Sequence, residues 1–181
     1  MRRTTTRESP GPANSLQYWR RIVPLRRVAR NWLCNKLARD LPSFRAKNWL
    51  YRRMGVKVGD NVSVAWAATM DVLFPELITL EDDCIVGYNT TILTHEFLRR
   101  EWRTGPVVVG KGATIGANCT ILPGVKIAPG AVVSAHSLVN SDVEGFVGGV
   151  PARPLRQSGR EAAAESKKEG GVGGFFPPHG R

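Results

Sequence analysis

The feature of this 181-residue sequence that most restricts its fold is an aliphatic side chain that recurs every six residues, in three runs. These side chains are Val58, Val64, Met70, Leu80, Val86, Ile92, Val109, Ile115, Ile121, Ile127, Val133 and Val139. Small or neutral side chains tend to follow four places later, at Val62, Ala68, Cys84, Thr90, Ala113, Cys119, Val125, Ala131 and Ser137. A helix repeats every 3.6 residues and a two-faced strand every 2.0, so neither explains a sustained period of six.

A period of six is explained if short strands alternate with tight corners and each unit points one aliphatic side chain into a narrow interior. Three such units close a triangular coil, and coils stack through parallel backbone hydrogen bonds. The predicted fold class is therefore all-β, a parallel β-helix of hexapeptide repeats. Cys84 and Cys119 fall at the four-later position, and we interpret both as buried spacers.

The six-residue period is interrupted between the units that start at Ile92 and Val109, by a polar, aromatic and basic loop over 94–108. This loop carries Thr94-His95-Glu96. A regular prism has flat faces and no pocket of its own, whereas a loop that leaves it builds the wall of a cleft. The interruption is where we expect a functional site.

The net charge of +11 is spread unevenly along the chain. Residues 15–54 carry eleven basic side chains and one acidic one, whereas residues 55–155 carry seven basic and ten acidic ones. The repeat region has no basic stripe interleaved with aromatic residues, which disfavours a nucleic-acid partner.

The composition divides the chain into four segments. Residues 1–14 and the tail 157–181 are predicted to be disordered, because they are polar or glycine-rich and lack periodicity. Residues 55–156 form the repeat domain. Residues 15–54 are predicted to be a basic amphipathic helical segment, with Pro24 and Pro42 kinking or ending its helices.

The helical segment has two compatible interpretations. It caps the end of the repeat domain with its apolar face, which we favour, or it presents a basic amphipathic surface to an anionic membrane. Three widely spaced cysteines, no signal peptide and no long apolar run predict a cytoplasmic protein, with peripheral membrane contact left open.

The repeat block "VVVGKGATIGANCTILPGVKIAPGAVVSAHSLVNSDV", followed by "GGVPARPLR", resembles the hexapeptide-repeat acyltransferases. It is most similar to the branch of maltose/galactoside and xenobiotic O-acetyltransferases. The resemblance implies a left-handed coil, a homotrimer with active sites between neighbouring subunits, and acetyl-CoA as the donor, with no metal required. It also implies that the interrupting loop presents a histidine as the catalytic base.

His95 is the candidate catalytic residue, as the general base that takes a proton from the acceptor hydroxyl. Imidazole, with an ordinary pKa of about 6.5, suits this task near neutral pH. Its orienting partner is left open between a backbone carbonyl, Glu96 and Glu101. For the acceptor side we predict contacts from Glu96, Trp102 and Asn89. Trp102 is expected to replace a tryptophan that the sugar branch often has where this chain has Thr114.

Coenzyme A is expected to lie along a groove between two coil stacks. Small side chains at coil corners let the pantetheine arm reach the backbone, and Ala117 and Ala135 are the candidates. The phosphates call for cations, for which Lys126, Arg153 and Arg156 are the candidates. His136 is expected at an exposed corner without a catalytic role.

The predicted activity is transfer of an acetyl group to a hydroxyl, or less readily an amine, of a small-molecule, sugar or lipid-linked acceptor. Two other classes of protein are alternatives to this acetyltransferase. A zinc hydratase on the same coil needs three histidines from coil corners, and this chain has too few in suitable places. A non-catalytic scaffold that docks to membranes or partners through its basic helices has no need of Thr94-His95.

Overall fold

A computed structural model describes residues 2–155 of the protein, in which short strands wind into four stacked coils of a parallel β-helix. The strands are β1 (Thr5–Glu8), β2 (Lys57–Val58), β3 (Ser63–Val64), β4 (Thr69–Met70), β5 (Ile78–Leu80), β6 (Ile85–Val86), β7 (Thr91–Ile92), β8 (His95–Phe97), β9 (Glu101–Thr104), β10 (Val107–Val109), β11 (Thr114–Ile115), β12 (Thr120–Ile121), β13 (Lys126–Ile127), β14 (Val132–Val133), β15 (Leu138–Val139), β16 (Phe146–Gly148) and β17 (Arg153–Pro154). The predicted tail 157–181 and Arg156 lie outside the described residues.

Three parallel sheets form the sides of the prism. Side one contains β2, β5, β10 and β13; side two contains β3, β6, β11, β14 and β16; side three contains β4, β7, β12 and β15. β17 turns back and pairs antiparallel with β16. We call the corner between sides two and three the second corner, and the corner that leads from side three into the next coil the third corner.

The register along side three locates the irregular parts of the stack. Thr69 pairs with Thr91, Thr91 with Thr120, and Thr120 with Leu138, so successive steps are 22, 29 and 18 residues. Only the last step has the 18 residues of three six-residue units. The extra residues of the first two coils lie at the third corner, in segments 71–77 and 94–106.

The interior of the stack confirms the predicted periodicity. All the recurrent aliphatic side chains are buried except Val58, which is half-buried, and all nine of the four-later side chains are buried. Each fully buried aliphatic side chain contributes roughly 1.5–3 kcal/mol of hydrophobic stabilisation. Burial raises the pKa of the Cys84 thiol to about 12 and also raises that of Cys119, in keeping with buried, unreactive spacers.

A short 3-10 helix (Ser15–Tyr18) and three α-helices precede the stack: α1 (Trp19–Ile22), α2 (Leu25–Asp40) and α3 (Phe44–Met54). Pro24 occupies the N-cap of α2, and Pro42 lies in the link between α2 and α3. Ser43 caps α3 by accepting a hydrogen bond from the backbone N–H of Ala46, and α3 ends at Gly55 in the left-handed conformation (φ 112°).

The helices cover the first coil, but α2 does so with its polar side and not with its predicted apolar face. Asn35 Nδ2 donates to the carbonyl of Met70 at 3.1 Å, and its Oδ1 accepts from the N–H of Met70 at 3.3 Å. Asn31 Nδ2 donates to the carbonyl of Val72 at 2.9 Å. Leu33 and Leu37 of α2 are instead about half exposed.

The open edge of the first coil explains this reversal. Its strands have no preceding coil to pair with, and buried backbone groups without partners are costly. α3 meets the same demand with Lys47, whose Nζ donates to the carbonyl of Val64 at 3.1 Å, and with Asn48, whose Nδ2 donates to that of Val62 at 2.8 Å. Its apolar side chains Leu50, Tyr51 and Met54 are buried.

The prediction that residues 1–14 are disordered is corrected by β1. This strand pairs antiparallel with β9 in the interrupting loop, with Thr5 opposite Thr104 and Glu8 opposite Glu101. The disorder prediction rested on the lack of apolar side chains to bury. The hydrogen-bonding edge of β9 supplies an ordering interaction that does not require them.

Candidate active site at the third corner

The third corner brings together two side chains that are 24 residues apart in the sequence. Asp71 directly follows β4, and His95 follows β7 on the next coil. Because β4 and β7 pair in register, Met70 with Ile92, the segments that leave them are stacked on each other. The aspartate in the first extra segment therefore lies against the histidine in the second.

The two side chains form a carboxylate–imidazole pair. His95 Nδ1 lies 2.5 Å from Asp71 Oδ2, and the His95 side chain is 19% exposed while that of Asp71 is fully buried. A carboxylate only accepts hydrogen bonds, so the proton is assigned to Nδ1. Nε2 then carries the lone pair and points away from this contact.

Asp71 is held by backbone N–H groups as well as by the imidazole. Its Oδ1 accepts from Leu73 at 2.8 Å and Phe74 at 3.1 Å, and its Oδ2 accepts from Thr94 at 2.8 Å. Burial raises the pKa of Asp71, but the hydrogen bond and charge of His95, with the N–H groups of Thr94 and Phe74, outweigh it, so its pKa is lowered. The carboxylate is therefore ionised at neutral pH.

Aromatic rings fix the plane of the imidazole. The ring centroid of Phe74 lies 5.9 Å from that of His95, and that of Phe97 lies at 5.1 Å in an edge-on arrangement. Trp102 stacks on Phe74, with centroids 5.7 Å apart. The imidazole thus has a bonded Nδ1 and two flanking rings, which leaves it little rotational freedom.

The interrupting loop is a hairpin held from outside by the N-terminal arm, residues 2–15. β8 and β9 pair antiparallel, and β1 adds a third strand on the free edge of β9. Ser15 is buried and donates through Oγ to the carbonyl of Leu98 at 2.6 Å, at the tip of the hairpin. The backbone N–H of Arg3 donates to the carbonyl of Gly124 at 3.0 Å, so the arm also crosses the next coil at the same corner.

Asp71 was not among the orienting partners of His95 that the sequence left open. Glu96 instead pairs with Arg2, with Oε1 2.6 Å from Nη1, and Glu101 pairs with Arg103. One signal could have identified Asp71: the interval between Met70 and Leu80 is ten residues, which marks a first interruption of the period one coil before the loop.

The three residues predicted to contact the acceptor substrate lie in different surroundings. Glu96, whose carboxylate is paired with Arg2, is half-buried. Trp102 is 8% exposed, with Phe74 stacked on it and the guanidinium of Arg7 4.8 Å from its centroid, so it supports the hairpin from within. Asn89 lies at the exposed second corner, where its Nδ2 donates to Oδ1 of Asn118 at 2.9 Å.

Ala117 and Ala135 occupy equivalent places at the second corner, because the N–H of His136 donates to the carbonyl of Ala117 at 2.8 Å. The same positions on the first two coils are Trp66 and Tyr88, both exposed, which the sequence analysis missed. Side-chain size therefore drops sharply along this corner. His136 is exposed at the corner, as predicted.

The predicted cations lie on two different corners. Lys126 is exposed at the start of β13, just past the third corner, where its N–H donates to Asp142 Oδ1 at 2.6 Å. Arg153 is exposed in β17, opposite Gly148 at the end of side two, and so on the side of the second corner. Within residues 2–155, no group of three or more His, Cys, Asp or Glu side chains could hold a metal ion.

Comparison with known proteins identifies the fold and the family. The model of the family "Bacterial transferase hexapeptide (six repeats)" matches residues 106–141. The relative named "Putative acetyltransferase YvoF" of Bacillus subtilis (strain 168) is 48% identical over 154 residues, which cover 83% of this chain and 90% of that protein. The chain belongs to the hexapeptide-repeat acetyltransferase family, and its coil is a left-handed parallel β-helix.

Two solved structures resemble the chain. The hexapeptide-repeat acetyltransferase of Vibrio cholerae O1 biovar eltor, complexed with acetyl coenzyme A, superposes with a TM-score of 0.62 at 25% identity, covering 72% of this chain and 86% of that one. A galactoside acetyltransferase in complex with coenzyme A superposes with a TM-score of 0.55 at 19% identity, covering 76% and 84%, and is similar in fold. In the part of the chain that the structure describes, no helix is long and apolar enough to cross a membrane.

Proposed function

We propose that the protein transfers an acetyl group from acetyl-CoA to a hydroxyl of a small-molecule, sugar or lipid-linked acceptor, with His95 as the general base. The observation that carries the proposal is the contact between His95 Nδ1 and buried Asp71. It leaves Nε2 as the basic nitrogen of a ring that cannot easily turn, and Nε2 has no hydrogen-bond partner among the described side chains. A histidine held in this way is suited to proton transfer.

The reaction needs one proton carrier and no covalent intermediate on the enzyme. Nε2 accepts the hydroxyl proton as the acceptor oxygen attacks the thioester carbonyl. When the tetrahedral intermediate collapses, the C–S bond breaks and the imidazolium returns its proton to the departing thiolate of coenzyme A. Asp71 stabilises the imidazolium that forms in between, and this role requires the carboxylate to be ionised.

We assign coenzyme A to the second corner. Ala117 and Ala135 leave backbone groups accessible there, where Trp66 and Tyr88 cover the preceding coils. We assign the pantetheine arm to the two alanines and the phosphates to Arg153, Arg156 and Lys126. Glu96, Asn89 and Trp102 remain our assignments for the acceptor side, with Trp102 acting through the rings that hold His95.

The separation of these groups supports a homotrimer with sites shared between subunits. His95 belongs to the third corner, whereas Ala117 and Ala135 belong to the second, one side of the triangle away. A side of about five residues spans roughly 17 Å. Two subunits packed side by side bring the third corner of one close to the second corner of its neighbour. Each site then draws its base and Lys126 from one chain and Ala117, Ala135 and Arg153 from another.

Two comparisons support the choice of donor and reaction. The Vibrio cholerae structure is a complex with acetyl coenzyme A, and the Bacillus subtilis relative carries the name of an acetyltransferase. The hydroxyl, in preference to an amine, is our inference from the resemblance to the O-acetyltransferase branch.

The proposal is tested by following thiol release from acetyl-CoA with a panel of hydroxyl and amine acceptors. We expect turnover with a hydroxyl acceptor and a loss of roughly 10²–10⁴-fold in His95→Ala, the range that general-base catalysis supplies. His136→Asn is the matched control, because asparagine tolerates the positive φ of 58° at that corner. Equal rates for the parent and His95→Ala would remove the enzymatic assignment and leave a scaffold.

A further inference from the structure

The outward face of α2 combines large apolar side chains with charged ones, and both are exposed. Leu25, Trp32, Leu33 and Leu37 recur at helical spacing, and we call these four residues the α2 stripe. Trp32 is 58% exposed and the three leucines are each about half exposed. The opposite side of the helix, which carries Asn31 and Asn35, is the side that packs on the coil. An isolated exposed leucine is ordinary, but four large apolar side chains on one helix face indicate a binding surface.

Basic side chains lie between the members of the α2 stripe on the same face of the helix. Arg26 and Lys36 are exposed on the same helix, and neither has a hydrogen-bond or ion-pair partner within residues 2–155. The whole segment 15–54 has eleven basic side chains and one acidic one. The long side chains of arginine and lysine can lie along an apolar surface while their charges reach toward headgroups.

These features favour an anionic lipid surface over a contact between the α2 stripes of two copies of the chain. A twofold contact between two α2 stripes would place Arg26 and Lys36 close to the same residues of the other copy, and like charges repel. A membrane with anionic headgroups neutralises them. Tryptophan and leucine side chains enter the boundary between headgroups and acyl chains favourably, and a helix with basic flanks lies in the plane of the interface.

We propose that α2 docks the protein peripherally on an anionic membrane through the α2 stripe, with Arg26 and Lys36 in contact with acidic headgroups. The Asn31 and Asn35 side keeps the coil attached to the opposite side of the helix. The first coil then faces the membrane across α2, and the rest of the stack extends into water. This inference does not depend on the acetyl-transfer chemistry.

Sedimentation of the full chain with vesicles tests the proposal. We expect binding to vesicles of phosphatidylcholine and phosphatidylglycerol in a 7:3 ratio, roughly ten-fold or more tighter than to pure phosphatidylcholine, and weakened by added salt. The double variant Leu33→Ser/Leu37→Ser should lose roughly ten-fold or more of this binding. Equal binding of the parent to both vesicles, or no binding to either, would overturn the proposal.

Charge reversal separates docking by α2 from a general effect of net charge. Arg26→Glu/Lys36→Glu should reduce binding roughly ten-fold or more, whereas Lys57→Glu/Lys111→Glu makes the same change in net charge at exposed positions of the coil and should bind nearly as the parent does. An equal loss in both variants would overturn docking through α2.

A matched apolar control and a mass measurement complete the test. Trp49 on α3 is as exposed as Trp32 but lines a cavity beside Gly59–Ser63, so Trp49→Ser should retain binding. Circular dichroism and thermal unfolding establish that each variant is folded. Light scattering without lipid should give the same mass for the parent and Leu33→Ser/Leu37→Ser. A smaller mass for the variant would assign the stripe to a contact between copies and overturn membrane docking.

Discussion

The coil interior and the third corner are built on opposite principles. In the interior, each aliphatic side chain stacks on equivalents one coil away, so Ile92, Ile121 and Val139 repeat one role. At the third corner, consecutive coils carry different side chains that interact as unlike partners, Asp71 with His95. The interior repeats in order to be stable, whereas the corner departs from the repeat in order to bring different chemical groups together.

The two regions should therefore respond differently to substitution. A change in the interior removes buried apolar area and should lower the free energy of unfolding, with little effect on the chemistry of the molecules that stay folded. A change at the corner should lower the rate of acetyl transfer and affect stability less. Four substitutions test this separation, in decreasing order of expected effect.

His95→Asn should have the largest effect. The asparagine amide can still donate to Asp71 near the position of Nδ1, but the basic nitrogen at Nε2 is lost. We expect kcat to fall roughly 10²–10⁴-fold while the melting temperature changes by no more than about 2 °C. Thiol-release kinetics and thermal unfolding of the same preparation measure both. A large drop in melting temperature would mean that the corner also stabilises the fold.

Ile121→Ala should give the opposite pattern. Ile121 is fully buried in β12, so removing three carbon atoms should cost about 2–5 kcal/mol of unfolding free energy. Urea denaturation at a fixed protein concentration measures this cost. The value of kcat per folded molecule should stay within roughly two-fold of the parent. A loss of kcat far beyond the unfolded fraction would show that the interior and the corner are coupled.

Asp71→Asn should reduce kcat by roughly 10- to 10³-fold, because an amide can donate to Nδ1 and so favour the wrong tautomer of His95. The KM for acetyl-CoA should change little, since Asp71 acts through the histidine. Asp83→Asn, at an exposed corner with φ of 56°, is the matched control and should behave as the parent. A rise in KM with an unchanged kcat would instead assign Asp71 to substrate binding.

The same variant carries a dependence of stability on pH. The folded-state pKa of Asp71 is lowered from its ordinary value of about 3.9, so its carboxylate stabilises the fold fully above about pH 4. This contribution is lost as the pH falls through the folded-state pKa. The difference in unfolding free energy between the parent and Asp71→Asn, measured by urea denaturation, should be smaller at about pH 3 than at about pH 5.

Arg7→Ala should have the smallest effect. Its guanidinium lies over Trp102 and donates through Nη1 to Thr104 Oγ1 at 3.2 Å, so it holds β1 against the hairpin. A cation–π contact of this kind contributes about 0.5–2 kcal/mol, and we expect a loss in kcat of roughly two- to ten-fold. Arg20→Ala, an exposed arginine of α1, is the control. An unchanged kcat in Arg7→Ala would show that the hairpin keeps its shape without this contact.

Much of the fold could be predicted because the information is local and repeated. Each unit independently places one aliphatic side chain inward, and the stack averages over many units, so one irregular unit such as Val58 does not change the prediction. The position of His95 could be predicted for the same reason, since a break is visible against a regular background. Its partner Asp71 was missed because the shorter break between Met70 and Leu80 was not interpreted as a second interruption at the same corner.

The helices and the N-terminal arm show where this kind of reasoning stops. Helical periodicity identified an apolar face on α2 but could not tell which face would be buried. That choice depends on the carbonyls of Met70 and Val72, which the first coil leaves without strand partners and which Asn35 and Asn31 satisfy. Residues 5–8 carry no apolar pattern, and their order comes from the edge of β9.

The amino-acid pattern was sufficient to predict the coil, the inward positions and the place where the coil is interrupted, because short strands that alternate with tight corners explain a period of six. Three features became visible only in the folded chain: the carboxylate that holds His95, the side of α2 that faces water, and the strand formed by the N-terminal arm. Those outcomes depend on hydrogen-bonding groups brought together from distant parts of the chain. The periodicity of one segment does not identify hydrogen-bond partners that come from distant parts of the chain after folding.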